Sequence, residues 1–401
     1  MAGLAMPSKL NSELRLARRM SRLGTETAFD VLVKARALER QGKDIVHLEI
    51  GEPDFDTPPN IVEAAVDALH HGYTHYGPSA GLPELRQTIA GYVAATRGVP
   101  VSSEEVVVVP GGKPIIFYSL LALIDDQDEV IYPNPGFPIY ESMINYAGGK
   151  AVPLPLREDM DFRFDVNELA GLITDRTRLI ILNSPQNPTG AVLSRRDLED
   201  IAAAIGERDV MVLSDEIYSR LIFDGELCSI AAVPGFKDRT IILDGFSKTW
   251  AMTGWRMGYG VMRADLAAQI SRLATNCNSC TATFSQMAGI EAIKGGQAPV
   301  ERMRAEFQRR RDAFHKRINC IPGFSCRLPK GAFYMFPNIT GTRWGSRKLA
   351  DALLEEAGVA ALSGTAFGRL GEGYLRFSVA NSIENIHQAL DRIEQWVKKK
   401  F

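Results

Sequence analysis

Cysteine is scarce in this sequence, with five in 401 residues, an odd and small number that excludes a disulfide framework and fits a reducing compartment. Long apolar runs are missing too. The longest, 114–124, is broken by a serine and a tyrosine and falls well short of the roughly 18 residues that cross a bilayer. No one sign of charge dominates: 46 Lys and Arg against 48 Asp and Glu leave a formal net charge of -2 without long runs of either sign. Nucleic acid and membrane are therefore poor partners. The start, MAGLAMPSKLNSELRLARRM, carries its basic residues after its few apolar ones, the reverse of a secretory signal, and the expected location is the cytoplasm. Cys277 and Cys280 form a lone C-x-x-C. Zinc would need two more ligands at suitable spacing, none is near, and the expectation is ordinary half-buried thiols and no metal.

What the sequence does have is 45% apolar residues, enough for a large core in roughly two to three domains. There are no repeats, and helix and strand signals alternate. Helical spacing runs from Thr27 to Arg40, from Pro59 towards Gly72, and onward from Pro83. From residue 106 short β-branched runs take over: Val106 to Val109, Val130 to Tyr132, Leu179 to Leu182, Val210 to Leu213 and Ile241 to Leu243. Continuous rather than alternating apolar runs predict strands covered on both faces, hence an α/β domain with a mostly parallel sheet. Beyond about residue 295 a charged helix, short strands near Gly331 to Phe336 and Tyr374 to Val379, and a helix from Ser382 read as a smaller α+β domain. The expected division is residues 1–56 as an N-terminal arm and part of the small domain, 57–295 as the large domain, and 296–401 as the small one.

Ligands of open parallel sheets bind beyond the carboxyl ends of the strands, and each chemically loaded string follows a strand. Val106 to Val109 leads into Pro110-Gly111-Gly112-Lys113 and a helix, where free N–H groups and close backbone approach suit a phosphate. The Walker pattern fails, since Pro114 follows Lys113. Leu179 to Leu182 leads into Asn183-Ser184-Pro185-Gln186-Asn187-Pro188-Thr189-Gly190, a stiff loop able to fix the amide of Asn187. Ser194, with Asp197 three residues on, reads as a capping box. Val210 to Leu213 ends in Ser214-Asp215-Glu216-Ile217-Tyr218, where a carboxylate can pair with a cationic ring nitrogen and a phenol can donate beside it. Ile241 to Leu243 leads to Ser247-Lys248, with Arg256 eight residues on. Among Phe246, Trp250 and Met252 the amine of Lys248 would lose hydration and favour its neutral, nucleophilic form, while Ser247 and Arg256 could address a phosphate.

Together these strings, with GEPDFDTP from Gly51, THYGPSAGLPELR from Thr74, NPGFPIY from Asn134, SKTWAMTGWRMGY from Ser247 and LRFS from Leu375, resemble the pyridoxal-phosphate aminotransferases of fold type I, in the bacterial aspartate-aminotransferase-like branch. The likeness runs from about Ala28 to the C-terminus. It implies a large domain with a mostly parallel seven-stranded sheet, a smaller α+β domain, and a homodimer. It also implies that Lys248 holds the cofactor as a Schiff base and carries the proton, that Asp215 meets the pyridine nitrogen, and that Asn187 and Tyr218 meet the ring oxygen. Phe137 would stack on the ring. Gly112, Lys113, Ser247, Arg256 and, from the neighbouring subunit, Tyr76 would hold the phosphate, with Gly245 standing where many relatives have a second serine. Arg376 would clamp the substrate α-carboxylate, with Gly51 and Asn187 nearby, and closure of the small domain over substrate is implied.

By that resemblance the activity is transfer of the amino group of an L-amino acid to a 2-oxo acid by a ping-pong mechanism. Lys113 favours an aspartate or glutamate donor, since relatives specific for acids use a lysine there for the distal carboxylate. Glu26 and Ala28 replace the Ser and Thr that assist it. The alternatives are an aminotransferase for neutral, aromatic or basic amino acids and a carbon–sulfur lyase on the same fold. A sensor fused to a DNA-binding module is disfavoured, because the chain begins close to the catalytic fold.

Overall fold

The apolar runs in the middle of the chain become the strands of one sheet in a computed structural model that describes residues 14–400; residue 401 and the first thirteen, most of the stretch read above for a targeting signal, lie outside the described residues. In chain order the strands are β1 (Val46–His47), β2 (Val106–Val109), β3 (Glu129–Asn134), β4 (Lys150–Pro155), β5 (Thr177–Asn183), β6 (Met211–Asp215), β7 (Thr240–Gly245), β8 (Gly258–Val261), β9 (Tyr334–Met335), β10 (Val359–Ala360), β11 (Leu362–Ser363) and β12 (Leu375–Ser378). Seven of them form the large sheet in the order β2-β8-β7-β6-β5-β3-β4, parallel except for β8, which runs antiparallel between β2 and β7.

Both faces of this sheet are covered, which is why its strands are uninterrupted apolar runs. Leu179 and Ile181 of β5 face one way, into a core completed by helices Lys113–Leu123, Ile139–Ala147 and Ala264–Asn278. Ile180 and Leu182 face the other way, against helix Arg195–Ile205. That helix starts at Ser194 with the capping box anticipated from Asp197. Farther along the same face, Val106, Val108, Ile242 and Tyr259 pack under helices Pro59–His70, Pro83–Arg97 and Thr283–Lys294.

A second core belongs to the C-terminal third. Helices Ala298–Ile318 and Ile383–Lys400 pack on the antiparallel sheet β11-β12-β9, with Phe307, Phe314, Phe333, Phe377 and Ile393 fully buried. Val46 and Leu48 join this core, and β1 pairs in parallel with β10. The chain therefore returns at residue 46 to a layer built mainly from residues beyond 300. Helix Thr27–Arg40, where the spacing predicts it, lays Ala35 against Leu354 and Ala360.

The carboxyl ends of β6 and β7 are tied together by charge. Arg97, the last residue of helix Pro83–Arg97, is buried with Nε 2.9 Å from Glu216 Oε2 and a second nitrogen on Asp244. Ser214 and Ser229 donate to the other oxygen of Glu216, and Ser219 donates to Asp244. Burial pushes the Asp244 carboxyl up while Arg97 pulls it back. Removing one partner of such a network leaves an uncompensated buried charge, which costs about 3–5 kcal/mol. Arg97→Met should lower unfolding stability by about that much, read as a fall in the denaturant midpoint, and a loss under about 1 kcal/mol would contradict the reading.

Candidate active site

At the carboxyl ends of β5, β6 and β7, and between them and the C-terminal core, lies a cavity of about 500 Å³, the size of a small-molecule site. It brings together Gly51, Gly112, Lys113, Phe137, Asn187, Asp215, Tyr218, Ser247, Lys248, Arg256 and Arg376, all residues singled out from sequence. Tyr76 does not line it, and its side chain is 90% exposed on the loop before helix Pro83–Arg97.

Lys248 sits on the single turn of helix that follows β7, with Nζ 2.6 Å from the carbonyl oxygen of Gly51. Burial pushes its ammonium down to about 8, against the pull of Glu52 and Glu26. The expected source of that burial needs correction. Phe246, Trp250 and Met252 all turn away from the cavity into the core under helix Pro83–Arg97, because on so short a turn only one side faces the strand ends. Phe333, its ring 5.9 Å from the lysine nitrogen, and Tyr334 close the lysine in instead.

Asp215 ends β6 and is buried. Its Oδ2 accepts a 2.6 Å hydrogen bond from the Tyr140 hydroxyl and its Oδ1 a 3.2 Å bond from the N–H of Ile217. Burial pushes this carboxyl up to about 6; the two hydrogen bonds work against that rise, and the charges of Asp244 and Glu216 add to it. An ionised carboxylate so placed is short of a cation.

The loop after β5 is strapped to β6 by Asn183. Its amide donates to the carbonyls of Pro185 and Asp215 and accepts from the N–H of Asn187 at 2.9 Å. Asn187 Oδ1 in turn accepts from Arg376 at 3.2 Å, which leaves its NH₂ as the group free to donate elsewhere. Arg376, buried on β12, lies between the rings of Tyr334 and Phe367 at 4.4 and 4.8 Å and donates to the carbonyl of Glu49. Its Nε–H is buried with no hydrogen-bond partner, and the rest of its guanidinium lines the cavity, where a carboxylate would match its charge and fork of donors.

The turn after β2 is shaped by steric necessity. Gly111 has φ +81°, and a Cβ there would collide with the guanidinium of Arg256. Gly258 on β8 runs so close beneath that a Cβ would come 2.7 Å from the nitrogen of Gly112. A side chain on Gly245, the position where many relatives have a second serine, would come 3.0 Å from the Cα of Gly258, a tight approach. Arg256 is itself held at φ +53°, with Nη1 2.7 Å from the carbonyl of Thr253, an unusual backbone conformation of the kind concentrated at functional sites.

These groups fit pyridoxal phosphate on the strength of their own chemistry. A glycine cradle at a helix start beside Ser247 and Arg256 could hold the phosphate, and Asp215 the cationic ring nitrogen. The amine of Lys248 could join the carbonyl carbon, and Phe137 could face the ring. Three of the expected residues carry an unexpected partner. The Tyr218 hydroxyl is 2.7 Å from that of Tyr334, Gly51 offers its carbonyl to Lys248, and Lys113 is paired with Glu26. Tyr140, Tyr334 and Asn183 have no role foreseen in the sequence; Tyr140 and Tyr334 act through contacts distant in the chain, and Asn183 ties its own loop to β6. Away from the cavity, Cys277 is exposed rather than half-buried and Cys280 intermediate, since the end of helix Ala264–Asn278 stands clear of the core. Among the described residues no cluster of His, Cys, Asp or Glu could hold a metal ion, and no helix is long and apolar enough to cross a membrane.

Comparison with known proteins agrees with this chemistry. A family model described as aminotransferase class I and II matches residues 43–393. An aspartate aminotransferase of Pyrococcus abyssi is 42% identical over 89% of this chain and 93% of its own length. An aromatic-amino-acid aminotransferase of Thermococcus litoralis is 41% identical over 89% of this chain and 92% of its own. The structure of an aspartate aminotransferase from Thermus thermophilus with maleate superposes with a TM-score of 0.92 at 36% identity, covering 96% of this chain and all of that one.

An acid whose pKa is raised on folding destabilises the folded state above that pKa and does not below its unfolded value. For Asp215 the rise from 3.8 to about 6 corresponds to about 3 kcal/mol. The cofactor-free Asp215→Asn variant should therefore be more stable than the unaltered cofactor-free protein by up to about that amount at pH 8, with the gap closing below pH 4. Denaturation midpoints across pH measure this, and a variant less stable at pH 8 would contradict it.

Proposed function

The chain belongs to the class I and II aminotransferases, and from that premise we propose that it transfers the amino group of a dicarboxylic L-amino acid, aspartate or glutamate, to a 2-oxo acid with pyridoxal phosphate held in the cavity described above. The observation that carries the reading is the pairing of a desolvated Lys248 amine with a buried, cation-seeking Asp215 in one cavity. The dicarboxylic preference draws support from Lys113 at the cavity wall and from the relatives named aspartate aminotransferase. That one relative is named for aromatic amino acids keeps the second class of donor in play.

When bound, pyridoxal phosphate supplies an electron sink for the pair left as the α C–H bond breaks. The chain supplies the rest. Arg376 would receive the substrate α-carboxylate through the part of its guanidinium that lines the cavity, packed against the rings of Tyr334 and Phe367. Asn187, pinned by Asn183 and with its Oδ1 taken by Arg376, would offer its NH₂ to the ring oxygen, and Tyr218 would add the hydroxyl that here meets Tyr334. Asp215, oriented by Tyr140, would keep the ring nitrogen positively charged. Lys248 Nζ, with a pKa of about 8, is neutral often enough near neutral pH to take the proton from the substrate α-carbon. The same groups then serve an incoming 2-oxo acid in reverse.

The large domain of residues 57–295 would carry Lys248, and the small one of 296–401, with part of 1–56, would carry Arg376, so closure of the small domain would bring the two together. We further propose a homodimer in which Tyr76 reaches the phosphate of the neighbouring site. Its exposure supports this, as do the exposed apolar side chains of Val62, Val66 and Leu69 along helix Pro59–His70. The cytoplasm is the proposed location.

A matrix of amino donors against pyruvate, oxaloacetate and α-ketoglutarate, followed by the absorbance of the bound cofactor, tests the activity; no conversion with any donor would overturn it. Lys248→Ala should lower turnover by a factor of about 10² to 10⁴ or more and prevent borohydride from fixing the cofactor to the chain. Turnover retained in that variant would remove Lys248 from its role.

A further inference from the structure

Glu26 immediately precedes helix Thr27–Arg40, where a short polar side chain commonly turns back to accept the first N–H groups of the helix. It makes no such bond. Its carboxylate crosses instead to Lys113, 3.0 Å from Oε2 to Nζ, at the start of the helix that follows the Gly111-Gly112 turn. The carboxylate is the more enclosed partner, 15% exposed against 49% for the lysine. Both line the cavity, whose wall includes apolar side chains as well as polar ones. Phe29, Leu362, Ala366 and Phe367 share the lining, and the ring of Phe137 lies 5.6 Å from the Lys113 ammonium. The pair is thus partly enclosed by hydrocarbon, and the charge of Glu26 is also felt by Lys248 and Arg376 elsewhere in the cavity.

We propose that Glu26 is a specificity-determining residue, the counter-ion that Lys113 gives up only to a distal carboxylate, so that neutral aromatic and aliphatic side chains are accepted alongside dicarboxylic ones. The inference rests on the aminotransferase reading above. An apolar side chain brought against a lone ammonium would strip its water with nothing in return; Glu26 supplies the missing partner. For a dicarboxylic substrate the sign reverses, because its distal carboxylate must compete with Glu26 and is repelled by it until Glu26 leaves. A place to go is at hand, since the unpaired N–H groups at the start of helix Thr27–Arg40 attract a carboxylate.

Glu26→Gln in the holoenzyme removes the competitor and leaves Lys113 free. The ratio of kcat/KM for aspartate to that for phenylalanine should rise roughly tenfold, equivalent to about 1.4 kcal/mol. The affinity for maleate relative to 3-phenylpropionate, measured by calorimetry without turnover, should rise by a similar factor. Adding Lys113→Met to Glu26→Gln should abolish both gains. Ratios that stay within twofold of the unaltered enzyme, or gains that persist without Lys113, would overturn the assignment. If neither donor reacts with the unaltered enzyme the aminotransferase reading fails, and the maleate arm still decides the role of Glu26.

Discussion

Among the described residues three carboxylates are buried at neighbouring strand ends of the large sheet, and one guanidinium is buried with them. Arg97 is shared by Glu216 and Asp244, which leaves Asp215 with a phenol and a backbone N–H as its partners. Much of the site follows from that imbalance. Two hydrogen bonds do not offset the removal of a carboxylate from water, so Asp215 stands ready for a cation that the chain itself does not provide. The Arg97 network also fixes where β6 and β7 end, and with them the positions of Asp215 and of the turn that carries Lys248.

Across the cavity the deficit has the opposite sign. Burial lowers the proton affinity of both Lys248 and Arg376, which makes the lysine a usable base and the arginine a receiver for a carboxylate. The two sides meet at a short stretch of the N-terminal segment. Glu49 gives its carbonyl to Arg376 and Gly51 gives its own to Lys248, while any side chain on Gly51 would collide with the Tyr334 hydroxyl. A segment whose neighbours join the C-terminal core thereby touches the groups of both cores, and a shift between those cores would be felt at both cations together.

The strands that hold the site were legible because burial on two faces leaves an uninterrupted apolar run, as in Ile180 to Leu182. Two strands of the same sheet were not. β4 carries Pro153 and Pro155, which an edge strand tolerates, and β8 is Gly-Tyr-Gly-Val, Gly258 being demanded by the turn packed against it and Gly260 crowded by the side chains of Ile115 and Met262. The two-residue strands of the C-terminal layer are too short to leave a period. At the site, residues that follow a strand directly, Asp215, Asn187, Lys248 and Gly112, could be named from position alone. Tyr140 and Tyr334 could not, since their partners are set by packing across the chain, and Asn183, which ends β5, shows its role only in the backbone groups of its own loop and of β6 that it bonds. The company of Lys248 was misjudged for a related reason. Its sequence neighbours turn inward, and the residues that dry it come from more than eighty positions away.

The central claim is that one cavity joins a desolvated lysine to a buried carboxylate that lacks a cation, and that pyridoxal phosphate completes both. A crystal structure of the chain with the cofactor tests it most directly. The account predicts continuous density from the cofactor to Lys248 Nζ, the ring nitrogen within hydrogen-bond reach of Asp215, and the phosphate against Gly111-Gly112 and Arg256. Cofactor joined to another lysine, or bound with Asp215 still paired only to Tyr140 and the N–H of Ile217, would contradict it.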